Sequence, residues 1–237
     1  MSTPLDRNLK IDADSSTAVC DPTKYRQIIG SLIYLTITRP DLSYSVGLLS
    51  QFMQHPRNLH LDCAKRILRY VSALMDYGIV YKSNTTIRLE GYTDADWASY
   101  KADHRSTSGF VFSLGSGAIS WSSKKQPTVA LSSTEAEYRG AVVAACEAVW
   151  LKQILKDLGV PITDPISIFC DNMSSIYLAC NPVFHTRTKN IEVHYLQAVD
   201  IFTKALGIDK LGQFASDLGL TPSALPSLRG STTCNVA

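Results

Sequence analysis

None of the six cysteines (Cys20, Cys63, Cys146, Cys170, Cys180, Cys234) stands in a C-x-x-C pair. A zinc ribbon or a disulfide framework is therefore not expected, and reduced thiols in an intracellular compartment are. No apolar run approaches the roughly 18 residues that a membrane span needs, so no membrane partner is expected. Met1 to Lys10 has no apolar signal-peptide core, so secretion is not expected. Charge of one sign is also scarce. The formal net charge is +2, which gives no broad electrostatic footprint for nucleic acid, and any basic surface must be local. Repeats and low-complexity tracts are missing too. What remains is a chain of 237 residues with 45% apolar content, ordinary for a globular protein of one large or two small domains.

Residues 1–22 are polar, carry Pro4 and Pro22, and read as a leader. Helical periodicity follows from Tyr25 to Thr38, from Asp41 to about Gln54, and from Leu59 to Met75. The third helix is expected to bury Leu61, Ala64, Ile67, Leu68 and Val71, and it carries Lys65, Arg66 and Arg69 on its other face. After Tyr77-Gly78 the period changes. Ile87 to Asp94, Ser108 to Leu114 and Ala118 to Ser123 read as an antiparallel meander, turned at Gly115-Ser116-Gly117. A long helix is predicted from Ser133 to Leu158, with Ser132 and Thr134 as candidate caps. A short buried strand, Ile166 to Phe169, follows. A strand reached by a helical crossover normally lies parallel to its neighbour. If that neighbour is the first strand, Asp94 and Asp171 come side by side.

Three acidic motifs lie along this frame: Thr93-Asp94-Ala95-Asp96-Trp97, Ser133-Thr134-Glu135-Ala136-Glu137-Tyr138 and Cys170-Asp171-Asn172. Acids at two strand ends and one on a helix are what a hard divalent cation requires, because Mg²⁺ takes oxygen ligands. A pair of such ions can clamp the attacking and leaving oxygens of a phosphodiester. Glu135 stands four residues before Arg139, a spacing suited to an exposed ion pair. Glu137 shares its face with Ala141, Ala144 and Ala148, small residues that allow close approach to a sheet, so Glu137 is the expected ligand.

These motifs, with Ala198-Val199-Asp200-Ile201-Phe202-Thr203-Lys204-Ala205-Leu206, resemble the RNase H domain of copia-type retrotransposon polyproteins. Tyr25 to Tyr34, Thr38-Arg39-Pro40-Asp41 and Lys65-Arg66-Ile67-Leu68-Arg69-Tyr70 resemble the reverse-transcriptase thumb and connection that precede that domain. Ser227-Leu228-Arg229-Gly230 resembles the polyprotein's last residues. The resemblance implies an α/β, RNase H-like mixed sheet flanked by helices. It also implies endonucleolytic cleavage of RNA in an RNA–DNA hybrid, using Mg²⁺ or Mn²⁺, in a cytoplasmic setting. The family's four acids fall on Asp94, Glu137, Asp171 and Asp200. His185, Arg187 and Lys189, together with Lys65, Arg66 and Arg69, are candidates for contact with the nucleic-acid backbone. The implied divisions are a leader (1–22), a thumb-like helical segment (23–82), the RNase H-like domain (85–206) and a C-terminal tail (207–237).

Two departures stand out. No Tyr-x-Asp-Asp motif occurs, so polymerisation by this chain is not expected. In the family, the stretch containing Lys189 to Tyr195 continues into the rest of a helix and then a fifth strand, before the Asp-Ile-Phe-Thr-Lys run. Here only Leu196, Gln197, Ala198 and Val199 separate Tyr195 from Asp200. A mean helix takes about 11 residues and a mean strand about 5, so four cannot supply both. The expectation is an internal deletion near residues 195–200, a missing fifth strand, the Ile166–Phe169 strand left as an edge, and a misplaced Asp200 with impaired activity. The rival expectations are a non-catalytic nucleic-acid-binding remnant and a decayed transposon product.

Overall fold

The computed structural model describes residues 2–7, 11, 18–83, 85–100, 103–179, 191–195 (backbone) and 203–222. Helix α1 (Pro22–Leu35) starts where the Asp21 side chain accepts from the Thr23 and Lys24 N–H groups, with proline at the first helical position. Tyr25, Ile29 and Leu32 form its buried stripe. A 3₁₀ turn (Pro40–Leu42) leads into α2 (Ser43–Ser50), and α3 is Asn58–Ala73.

The buried face of α3 is His60, Cys63, Ala64, Ile67 and Tyr70, rotated from the expected one, and Leu68 is exposed. The reason lies in tertiary partners. His60 stacks on Phe52 with ring centroids 3.9 Å apart. The Tyr70 hydroxyl donates to Asp41 Oδ2 at 2.9 Å, beside the buried Arg39–Asp41 pair at 2.8 Å. Arg39 also donates to the Leu74 carbonyl, which ties the turn to the end of α3.

Strand β1 is Tyr77–Ile79; β2 (Leu89–Asp96), β3 (Thr107–Leu114) and β4 (Gly117–Lys125) form the expected antiparallel meander. Helix α4 (Ser133–Asp157) crosses to β5 (Ile166–Cys170), which pairs parallel to β2. Helix α5 (Met173–Ala179) follows. The mixed α/β class is as expected, and the open mixed sheet flanked by helices is consistent with an RNase H-like fold.

The missing fifth strand is an expectation that the structure overturns. The sheet order is β4-β3-β2-β5-β6, and β6 is Ile191–Tyr195, parallel to β5 from Ile166↔Ile191 to Cys170↔Tyr195. Strand β5 is therefore interior, not an edge. The residues that the resemblance assigned to a helix serve as the strand instead. Ile191, Val193 and Tyr195 are β-branched or aromatic at alternate positions, which suits a strand. An uncovered β5 would leave a row of unpaired backbone groups, and pairing to β6 satisfies them.

Helix α6 (Ile208–Asp217) and β7 (Leu220–Pro222) follow, and β7 pairs antiparallel to β1. One core cluster lies between α4 and the sheet, built from Leu89, Phe110, Phe112, Ala144, Ala148, Leu151, Leu155, Ile166 and Ile168. The other gathers the helical segment with Leu206, Leu211, Leu218 and Leu220, and also buries Leu5 and Ile11 of the stretch read as a leader. Among the described residues no helix is long and apolar enough to cross a membrane.

Candidate metal centre

Two parallel strands set the first two acids. Tyr92 of β2 is in register with Phe169 of β5. Asp94 and Asp171 each lie two residues further along, so both belong to the same end of the sheet. Asp94 is buried, at 8% exposure.

The third acid comes from α4. Ala136, Glu137, Gly140, Ala144 and Ala148 are buried in this helix, the spacing of one helical face. Gly140 lets that face come close: a Cβ there would sit 3.4 Å from Thr93 Oγ1 and 3.5 Å from the Asp94 carbonyl oxygen. The first turn of α4 is held from both sides. Ser132 Oγ accepts from the Glu135 N–H at 3.1 Å. Buried Gln126 donates to the Ala136 carbonyl at 2.9 Å and to Ser108 Oγ at 2.7 Å. Glu135 takes the ion-pair role, with Arg139 Nη2 at 2.6 Å and the Leu131 N–H at 2.8 Å.

Glu137 is 6% exposed, and its carboxyl is pushed up to about 8. Burial is the main cause, followed by the charges of Asp94 and Asp171, while hydrogen bonds from the Ala95 backbone and the Cys170 thiol pull the other way. Cys170 Sγ donates to Glu137 Oε2 at 3.9 Å. Ligand atoms of Glu137, Cys170 and Asp171 all lie within 4.8 Å of one another. Burial, with the three acids nearby, pushes the Cys170 thiol up to about 12. After Asp171 the chain is fixed by Asn172 Oδ1, which accepts from the Ser175 N–H, and by Ser175 Oγ, which donates to the Thr134 carbonyl of the α4 start. Thr203 Oγ1 donates to Asp94 Oδ2, and Thr203 is fully buried.

This arrangement fits a hard divalent cation. The Glu137 and Asp171 carboxylates supply oxygen ligands of the kind such an ion takes; the third ligand atom of the close group is the Cys170 sulfur, and Asp94 stands outside that group. Burial and, after it, the charges of Asp94 and Asp171 raise the Glu137 carboxyl, and a countercharge would oppose both. The structure places the expected Asp94, Glu137 and Asp171 at one end of the sheet, and beside them Cys170, Gly140 and Thr203, which the sequence reading did not single out. The alternation Ile166, Ile168, Cys170 carried the signal for Cys170, since it turns the thiol toward α4. Asp200, His185, Arg187 and Lys189 lie outside the described residues. On α3, Lys65 pairs with Asp62 at 2.9 Å and Arg69 donates to the Lys65 carbonyl. Arg66 is engaged by Thr3 Oγ1 at 2.9 Å and Asp6 at 3.5 Å.

No family model matches this chain. It is 43% identical over 241 residues to the retrovirus-related Pol polyprotein from transposon RE1 of Arabidopsis thaliana, covering 93% of this chain and 16% of that protein. It is 47% identical over 195 residues to the polyprotein from transposon RE2 of the same plant, covering 82% of this chain and 13% of the relative. To that from transposon TNT 1-94 of Nicotiana tabacum it is 38% identical over 206 residues, covering 82% and 15%. The chain thus spans about one sixth or less of the length of these relatives. The RE1 alignment, at 241 positions, is longer than this whole chain of 237 residues, so it contains positions that this chain lacks.

Proposed function

We propose that this chain, which belongs to the copia-type retrovirus-related Pol polyproteins of transposons, is a metal-dependent nuclease that cleaves the RNA strand of RNA–DNA hybrids. The carrying observation is geometric: Asp94 and Asp171 lie at the same end of the parallel pair β2–β5, and α4 brings Glu137 there with ligand atoms within 4.8 Å of those of Asp171 and Cys170.

In this reading Asp94, Glu137 and Asp171 would hold Mg²⁺ or Mn²⁺; the fourth acid that the family resemblance implies, Asp200, lies outside the described residues, and the shortened stretch before it is the reason to expect impaired activity. The bound ions supply Lewis-acid stabilisation of the charge that develops on the phosphate. The protein's own contribution is preorganisation. Gly140 and Gln126 hold the first turns of α4 against the sheet. The Ala95 N–H and the Cys170 thiol orient Glu137. Burial withholds competing water from the Glu137 carboxyl. Lys65 and Arg69 on α3 are basic groups suited to a phosphate backbone, whereas Arg66 serves chiefly to fasten Thr3 and Asp6.

The test is cleavage of a labelled RNA–DNA hybrid in Mg²⁺ or Mn²⁺, beside Asp94→Asn. Cleavage by the parent and a loss of at least about 100-fold in the variant is expected, in line with removing an electrostatic group from an active site. A folded parent that cleaves nothing would leave a nuclease scaffold without the activity, and equal cleavage by both proteins would mean a contaminant or another centre.

A further inference from the structure

Thr203 lies beyond the shortened join, in a stretch for which neither periodicity nor acid chemistry marks it out. It is nonetheless fully buried, and its hydroxyl meets Asp94 across 109 residues of sequence. Its seat is built from three directions. Leu206 is buried in the same cluster as Leu5, Leu42 and Leu211. Pro4, Leu5, Asp41 and Tyr44 line one small cleft with Lys204, Ala205 and Leu206. The segment after Thr203 is thus wedged between the N-terminal residues, α2 and α6. That packing anchors the segment immediately after Thr203.

We propose that Thr203 is a positioning residue for Asp94: its buried hydroxyl holds the carboxylate in one orientation and so sets the affinity of the acid cluster for a divalent cation. The inference rests on the metal-site reading above. A carboxylate on a strand end rotates about two side-chain bonds, and a donor on one oxygen removes that freedom before the ion arrives. Hydrogen-bond partners of ligating carboxylates typically account for 10–100-fold in metal affinity. A hydroxyl buried merely to satisfy its own donor would have no such effect on the cation.

The experiment is Mg²⁺ titration of the full chain by calorimetry, with the Mg²⁺-dependent rise in unfolding temperature as a second readout. Thr203→Val keeps the side-chain shape and removes the donor, Thr203→Ser keeps the donor, and Thr203→Ala is a second donor-free variant should valine prevent folding. Thr203→Val is expected to bind Mg²⁺ about 10–100-fold more weakly. Serine should stay within a few-fold of the parent. In cleavage assays the valine variant should regain its kcat as Mg²⁺ is raised, with KM for the hybrid unchanged.

Equal Mg²⁺ affinity in parent and Thr203→Val would overturn the proposal, as would a serine variant as weak as valine. A parent that binds no Mg²⁺ removes the metal site itself and this inference with it. A parent that binds Mg²⁺ through Asp94 but cleaves no hybrid defeats the nuclease reading alone, and the valine–serine contrast still decides the role of Thr203.

Discussion

Replacing Glu137 by Gln turns the electrostatics of the acid cluster into a stability measurement. The Glu137 carboxyl is raised from 4.5 to about 8 by burial and by Asp94 and Asp171. Between those values the folded state holds a proton that the unfolded chain has released, so the parent loses stability as pH rises. Each unit is worth about 1.4 kcal/mol. From pH 5 to pH 8 the parent should therefore lose on the order of 3 kcal/mol relative to Glu137→Gln, which presents a neutral amide to the same Ala95 N–H throughout. For a chain of this length that corresponds to roughly 10 °C in unfolding temperature. The assay is urea unfolding of both proteins, without divalent cations, at pH 5, 6.5 and 8. Near pH 5 the curves should be closest, and the variant should be the more stable at pH 8. Mg²⁺ at pH 8 should then restore much of the parent's stability and little of the variant's, since binding to the native state stabilises by mass action. Parallel curves from pH 5 to pH 8 would refute this account, because Glu137 would then be free of the burial and the repulsion assigned to it.

Two further predictions bear on the sheet that positions these acids. A Cβ on Gly91 would press into the ring of Phe112, its cross-strand partner and a fully buried side chain, so Gly91→Ala should destabilise by about 1–3 kcal/mol, as overpacking of a filled core does; unchanged unfolding free energy would mean the ring has room to move. The amides of Ile191–Tyr195 that pair with β5 should exchange slowly with solvent, and exchange at the rate of an unfolded chain would end the sheet at β5.

Much of the frame could be read before any coordinates. The helix from Ser133, the meander around Gly115–Gly117 and the strand ending at Cys170 follow from local periodicity and turn chemistry, and each lies within a few residues of its expected bounds. Glu137 was separable from Glu135 because the face it shares with Ala144 and Ala148 is small. The buried face of α3 was not readable, because His60 and Tyr70 are polar-tipped and go inside only where Phe52 and Asp41 receive them. Strand β6 was hidden for a related reason. Five residues such as Ile191–Tyr195 can serve a helix or a strand, and an uncovered neighbouring strand decides between them.

By itself the sequence determined the element types and the order of the acids, since both depend on residues near one another along the chain. Tertiary structure alone decided that β5 has a partner on each side, that Cys170 faces Glu137, and that Thr203 reaches Asp94. Those contacts join residues far apart in sequence, and they form because a buried carboxylate and an open sheet edge must each find hydrogen-bond partners wherever the chain can provide them.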